Sequence, residues 1–312
     1  MIMEKKMFTL GFYLSPSDLD GMKRKMEEFL LAGISVIGTD GFMQWTDDKH
    51  CQAVAEQIRS FGLQCNTMHA PFGLNFLSKQ ELPRSIRDNK RLVDIAKLWG
   101  AKNIVHHFRS LRTHSGDTHF AENAKISELP PEELDAMAAE VLPEVCAYAS
   151  EKGISINLEN LPLIPWGKNP DDLLDFLEKM NLPNLKFLFD IGHANCSGYD
   201  PCQVIRNSRG LLQDVHFHDN FGPGDWKFKR VPENEEIVQY DQHLSPGMGN
   251  IPWLGVVRAL KEINYINPIM FEAPNSPAAV ALTLLVWRTA ESLAAKNINF
   301  QHKKDVEQDE KS

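Results

Sequence analysis

The stretch LKFLFDIGHANCSGYD, residues 185–200, is a short apolar run that stops at an aspartate, with a histidine three positions on and a glycine-rich turn behind it. A buried strand ends at Asp190, and the chain then turns into helical sequence. Repeated along a chain, that unit builds an α/β fold. Asp190 and His193 themselves have two readings. An aspartate at a strand end often caps the following helix, and an Asp–His hydrogen bond can be purely structural. Which reading holds depends on what the other strand ends carry.

Working outward, the same unit recurs almost to the end of the chain. Strands are predicted at MFTLGFYLS (7–15), SVIGTD (35–40), LQCNTMHA (63–70), KNIVHHF (102–108), ISINLEN (154–160), LKFLFD (185–190), DVHFHD (214–219) and PIMFEA (268–273). Helical segments lie between them, among them DLDGMKRKMEEFLLAG, DKHCQAVAEQIRSFG and SIRDNKRLVDIAKLWG, each closing on a glycine where a C-cap is expected. Eight alternations with no break in composition predict one (β/α)8 TIM barrel over residues 1–300, with function on the loops that follow the strands. An open doubly wound sheet is disfavoured because no G-x-G-x-x-G follows the first strand. The charged end QHKKDVEQDEKS, 301–312, reads as a solvated, disordered tail.

The 312-residue chain is 43% hydrophobic, enough to fill a large core, and its formal charge of −9 argues against a broad phosphate-binding surface and so against a nucleic-acid partner. Its five cysteines form no C-x-x-C pair, which fits reduced thiols and a cytoplasmic location. The first residues read as a strand rather than a leader, since polar residues interrupt the apolar run. AAVALTLLVW (278–287) is too short to span a bilayer, so no membrane partner is expected.

Strand alternation assigns faces. In ISINLE, Ile154, Ile156 and Leu158 pack outward on helices, which turns Glu159 toward the barrel axis. The same count turns His216 and Glu272 inward and leaves Asp190 closing its strand opposite Phe189. Any one of these could simply bond a loop backbone. Two Glu, one Asp and one His at the ends of four successive strands converge in one barrel mouth, however. Carboxylates that close together need a cation to offset repulsion and desolvation. This donor set suits Mn, Mg or Co about as well as Zn, so one divalent metal ion of open identity is expected.

A second ring comprises His69, His107 and His193 at strand ends, with Asp241 and His243 in the seventh loop ahead of the tight turn P-G-M-G. His218 shares a face with His216 and is a candidate for supporting the centre. His106 faces away from His107 and reads as packed; His114 and His119 read as solvated. Lys227, with Lys229 and Arg230 in DWKFKR, is a candidate for gripping an anionic group, against a simpler reading as solvated loop. Phe72, Trp166 and Trp226 could stack on a sugar ring or pack their own loops.

Taken together, HAPFGLN, INLENLP, FDIGHANCSGYD, VHFHDN, DQHLSPGMGNIPW and MFEAP resemble the xylose isomerase-like barrel superfamily, which includes sugar phosphate isomerases/epimerases and the AP endonuclease family 2. The resemblance runs from about residue 7 to residue 300 in the right order. In the sugar-isomerising members, it implies, the residues matching Glu159, Asp190, His216 and Glu272 hold one divalent metal, and the one matching His193 lies beside the substrate. In the DNA-repair branch, the residues matching His69, His107, Glu159, Asp190, His193, His216, Asp241, His243 and Glu272 hold three zinc ions. All nine residue types are present. The acidic charge balance, and VHHFRS where the endonucleases have His-Pro-Gly, weigh against that branch.

The expected activity is therefore a divalent-metal-dependent isomerase or epimerase of a sugar, sugar phosphate or keto-sugar, working by proton transfer through a metal-stabilised enediolate. Glu159 and Glu272 are the candidate acid and base, with His193 as a third catalytic candidate. His69, His107, His218, Trp166 and Lys227 are the candidate substrate-binding residues. The partner is a small sugar or sugar phosphate, and a homo-oligomer is compatible with the sequence. Three alternatives stay open: a keto-sugar lyase or dehydratase, an AP endonuclease IV-like zinc phosphodiesterase, and a carbohydrate-binding barrel without chemistry.

Overall fold

Residues 8–71, 81–109, 130–162, 169–223 and 241–309 are described in the computed structural model. Eight strands appear in chain order: β1 (Leu10–Leu14), β2 (Val36–Thr39), β3 (Gln64–His69), β4 (Asn103–His107), β5 (Ser155–Glu159), β6 (Leu185–Asp190), β7 (Leu212–Phe217) and β8 (Ile269–Phe271). Each pairs in parallel with the next, and β8 closes on β1, so the sheet is a closed barrel. Around it run helices α1 (Leu19–Leu31), α2 (Asp48–Phe61), α3 (Leu82–Trp99), α4 (Pro131–Glu151), α5 (Pro170–Met180), α6 (Ile191–Cys196), α7 (Pro201–Arg206), α8 (Trp253–Glu262) and α9 (Pro277–Asp309). All eight predicted strands are found, several trimmed by a residue or two at each end.

The alternation read from the sequence becomes two separate interiors. Phe12, Ile37, Ile104, Ile156, Leu158, Phe187, Phe189, Val215, Phe217, Ile269 and Phe271 face outward and build the main core against the helices. Inside the barrel, Tyr13, Val36 and Met270 form a small apolar cluster of their own. Gly38 makes room for it, since a Cβ there would fall 2.7 Å from the Tyr13 ring. Beside this cluster lies a polar floor. Asp214 of β7 bonds across the barrel to Thr67 Oγ1 and to the amides of Asn66 and Asn103, each at 3.4 Å. Burial pushes its carboxyl up to about 6. The barrel is thus filled by side chains below its mouth, and the strand-end acids and histidines lie at the C-terminal ends of the strands, the face on which barrel enzymes carry their chemistry.

Helix α9 corrects one expectation. The apolar segment extends over Pro277–Lys296, long and apolar enough to cross a membrane by length and composition, so the 278–287 limit was too short. In the fold, Val280, Thr283, Trp287, Ala290 and Ala294 are buried against the barrel. Glu291 accepts from Phe8 N at 2.9 Å and from Trp287 Nε1 at 3.2 Å, which ties the helix to the chain leading into β1. The helix runs from Pro277 to Asp309 and so takes in residues 301–309 of the charged end. The Trp287 ring is fully buried and lies 5.7–6.1 Å, centroid to centroid, from Phe8, Phe217, Trp253 and Phe271. Replacing Trp287 with Ala leaves a cavity among four aromatic rings and is expected to cost about 3–5 kcal/mol. The check is a lower urea midpoint at an unchanged slope.

Candidate active site

Asp190 takes the capping role with one of its two oxygens. Its Oδ1 caps α6, accepting from His193 N at 2.6 Å, and also accepts from His218 Nε2 at 3.1 Å. Its Oδ2 is buried with no protein partner. Asn160 holds the strand end in place: its amide donates to Asp190 O at 3.0 Å, and its Oδ1 accepts from Asp190 N at 2.9 Å. One oxygen of Asp190 is spent on structure, and the other faces the mouth.

The centre of the mouth is the His216 imidazole. Its Nδ1 lies 3.0 Å from Glu159 Oε1 and 3.2 Å from Glu272 Oε2, while its Nε2 hydrogen-bonds Tyr13 Oη at 2.5 Å. The other oxygen of Glu159 faces His69 Nε2 at 3.4 Å and His107 Nε2 at 3.6 Å. Burial pushes the Glu159 carboxyl up, but His216, His69 and His107 outweigh it and hold it well below the usual carboxylate range. Glu272 is likewise pushed up by burial and drawn down further by His216 and His243, to about 2. Both acids are therefore ionised at neutral pH. His107 is driven down to about 4, chiefly by burial, and is a neutral imidazole.

A third group sits where the seventh loop meets α6. His193 Nε2 and His243 Nε2 approach the same Asp241 oxygen at 3.2 and 3.0 Å. Their Nδ1 atoms donate to backbone carbonyls, His193 to Asn160 O and His243 to Glu272 O, each at 2.8 Å. Those bonds fix the tautomer and turn both Nε2 atoms toward one point, the usual way a protein presents imidazoles to an ion. The His218 ring stacks on His243, with centroids 3.9 Å apart and planes 9° apart. The loop is anchored by buried Asp219, whose carboxylate accepts from Gly247 N at 2.8 Å, Trp253 Nε1 at 2.9 Å and Ile251 N at 3.2 Å. A backbone bridge between Asp219 and Leu244, at 2.7 and 2.8 Å, holds the same loop next to His243.

The donor chemistry fits divalent cations. Glu159, Asp190, His216 and Glu272 each bring one ligand atom, all within 4.8 Å of one another; His69, His107 and Glu159 form a second such group, and His193, His218, Asp241 and His243 a third. Glu159 Oε2, Asp190 Oδ2, Asp241 Oδ1 and His218 Nδ1 are buried without protein hydrogen bonds. Each such atom costs free energy unless something outside the chain satisfies it. Among the described residues the geometry offers three ligand groups, where the sequence reading expected one ion.

The sequence reading therefore brought Glu159, Asp190, His216, Glu272, His69, His107, His193 and His218 to one mouth, with Asp241 and His243. His106 is buried on the outer face, as expected. Trp166 and Lys227 lie outside the described residues, as do Phe72, His114, His119, Trp226, Lys229 and Arg230. Four residues were missed. Tyr13 was findable from the inward alternation of β1, and Asp40 from applying the strand-end rule to β2; burial pushes the Asp40 carboxyl up to about 6, with Glu272 adding to the shift. Asn160 and Asp219 act through loop geometry, which carries no sequence signal.

The xylose isomerase-like TIM barrel family matches residues 31–302, and the chain belongs to that family. Among curated proteins, it is 34% identical over 144 residues to an uncharacterized protein of Methanocaldococcus jannaschii, covering 45% of this chain and 43% of that one. It is 26% identical over 174 residues to an L-ribulose 3-epimerase of Methylomonas sp., covering 53% of this chain and 54% of that one. These matches span about half the length of each relative. A solved D-tagatose 3-epimerase-like protein shares the fold, with a TM-score of 0.69 at 20% identity over 92% of this chain and 99% of that one.

Two outcomes are expected from this geometry. A Cβ on Gly192 would fall 1.9 Å from His218 Cε1, and the ring cannot retreat because His243 stacks against it. Gly192→Ala should therefore cost about 1–3 kcal/mol in urea unfolding, the range for overpacking a filled interior. The second outcome is a pH dependence. Burial pulls His193 down, but Asp190 and Asp241 outweigh it and raise it to about 10 from 6.5. A pKa raised on folding contributes stability that is complete below pH 6.5 and lost as pH rises toward 10. Chelator-treated protein should show a Tm that falls across that window. Saturating divalent metal should flatten the fall, because a ligating imidazole is neutral throughout.

Proposed function

We propose that this chain is a divalent-metal-dependent isomerase or epimerase acting on a sugar, keto-sugar or sugar phosphate by proton transfer. One observation carries the reading: Glu159 and Glu272 approach the same nitrogen of His216, at 3.0 and 3.2 Å, from different strands. Two carboxyl groups flanking one centre, one acting as the base in its ionised form and the other delivering a proton once protonated, suit moving a proton between neighbouring carbons or between two faces of one carbon. The partial likeness to an L-ribulose 3-epimerase supports the same class.

Glu159, Asp190, His216 and Glu272 would hold the ion, whose positive charge, when bound, favours the negative charge that develops on substrate oxygens as the proton leaves. Glu272 is the more accessible acid, 24% exposed against 1% for Glu159, and is assigned the first proton abstraction. Return to the same face uses the proton Glu272 has just taken; delivery to the opposite face uses Glu159 after it has picked up a proton from solvent, and Glu272 then releases its own proton to solvent. Tyr13 orients His216 through its Nε2. His193, fixed by Asn160, presents Nε2 to a substrate oxygen or a second ion. His69 and His107 line the side of Glu159 away from His216, where substrate hydroxyls would lie. If a β-substituent leaves after proton abstraction, the same residues catalyse a lyase or dehydratase reaction. The proposed setting is a single barrel domain to about residue 300, working on a small molecule rather than nucleic acid or membrane. A reducing, cytoplasmic location fits the five cysteines, all free and buried.

A second reading has an observation of its own. The three ligand groups, two of them joined through Glu159, suit a multi-zinc phosphodiesterase of the AP endonuclease IV kind. One experiment separates the two. Purified protein is analysed for metal and incubated in deuterated water with a panel of ketoses and 3-keto-sugars. The expected result is about one divalent ion per chain and solvent deuterium entering a carbon next to the carbonyl. In Glu272→Gln that exchange should fall by at least roughly 100-fold, the low end of what a general base supplies, while the ion is retained. Three zinc ions per chain together with cleavage of an abasic-site duplex would overturn the isomerase reading.

A further inference from the structure

The barrel mouth holds one more acid. On β2, Val36 packs inside the barrel with Tyr13 and Met270, and a side chain on Gly38 would meet the Tyr13 ring, so this alternate set of residues faces the axis. Asp40 is the next member of that set, one residue beyond the strand. Its backbone N donates to Leu14 O at 3.0 Å, which holds it against the end of β1. It sits among groups drawn from three other parts of the rim: its carboxyl is pushed up by burial and by Glu272, and drawn down by His69, His216 and His243. Unlike those neighbours, its carboxylate makes no hydrogen bond or ion pair among the described residues, and it belongs to none of the three ligand groups.

From this position we infer that Asp40 is a substrate-binding residue, accepting a hydrogen bond from a hydroxyl of an uncharged polyhydroxylated substrate held over the metal centre. The inference rests on the isomerase reading and narrows its substrate class. A partly buried carboxyl with spare acceptor capacity gains from a hydroxyl donor. Beside Glu272 it repels a phosphate placed on the same side of the mouth, so selection works through an unfavourable contact as well as a favourable one. Tyr13, beneath it, orients His216, which leaves Asp40 free of any task in holding the ion.

The test uses the full-length, metal-loaded protein and an unreactive alditol, xylitol, as the probe. Xylitol binding is measured by calorimetry for the wild type, Asp40→Asn and Asp40→Ala, with metal content determined for each. The expected result is equal metal content in all three, xylitol affinity reduced about tenfold in Asp40→Ala, as for the loss of one hydrogen bond to a charged group, and a smaller loss in Asp40→Asn, whose amide oxygen still accepts. The KM for a turned-over ketose should rise while kcat changes little. Unchanged xylitol affinity in Asp40→Ala, or loss of metal from it, overturns the role of Asp40 and leaves the isomerase reading standing. Tighter binding of a ketose phosphate than of the free ketose overturns the uncharged-substrate assignment. A wild type that exchanges no ketose proton but cleaves a phosphodiester withdraws the proposed function and this inference with it.

Discussion

Five acids crowd the barrel mouth among the described residues, and the mutual repulsion of four of them is what the surrounding structure is arranged to manage. Glu159, Asp190 and Glu272 bring ligand atoms within 4.8 Å of one another and of His216, and Asp241 stands close by among three further imidazoles. Ionised groups so close and so buried would be strongly destabilising alone. The fold answers with histidines on every side: His216 between two glutamates, His69 and His107 on the free oxygen of Glu159, and His193 and His243 on Asp241. Several acid oxygens still lack a partner. A site so built favours whatever brings positive charge into it.

That demand explains the supporting layer. Asn160 and the Glu272 carbonyl commit one nitrogen each of His193 and His243, so that the other is aimed at Asp241. Tyr13 does the same for His216 from inside the barrel, in space that Gly38 leaves open. Asp219 spends its whole carboxylate on backbone and indole donors of the seventh loop. Below, the Asp214 network fills the barrel with hydrogen bonds rather than space. The stability of the barrel comes from a different place, the apolar layer between sheet and helices that α9 completes with Trp287. Core and site are thereby separated onto opposite faces of the same strands, and either can vary without rebuilding the other.

Much was legible in the chain by itself. The eight β-like runs, their order and the face of each residue follow from period-two alternation, a local property of backbone geometry that the barrel inherits. Counting along ISINLE, DVHFHD and PIMFEA was enough to turn Glu159, His216 and Glu272 inward, because a strand permits only two faces. That four such residues share one mouth also followed, since a closed parallel barrel puts all its strand ends at one rim. Tertiary structure alone decided the rest. Which oxygen of Asp190 is spent on capping, that Glu159 serves two groups of histidines, and that His218 stacks on a residue 25 positions later in the chain all depend on distances across the barrel. The register between strands and the path of the seventh loop set those distances, and neither leaves a periodic trace in sequence. The length of α9 and its docking through Glu291 escaped for the same reason: whether an apolar helix lies against a barrel or elsewhere is settled by the surface that receives it.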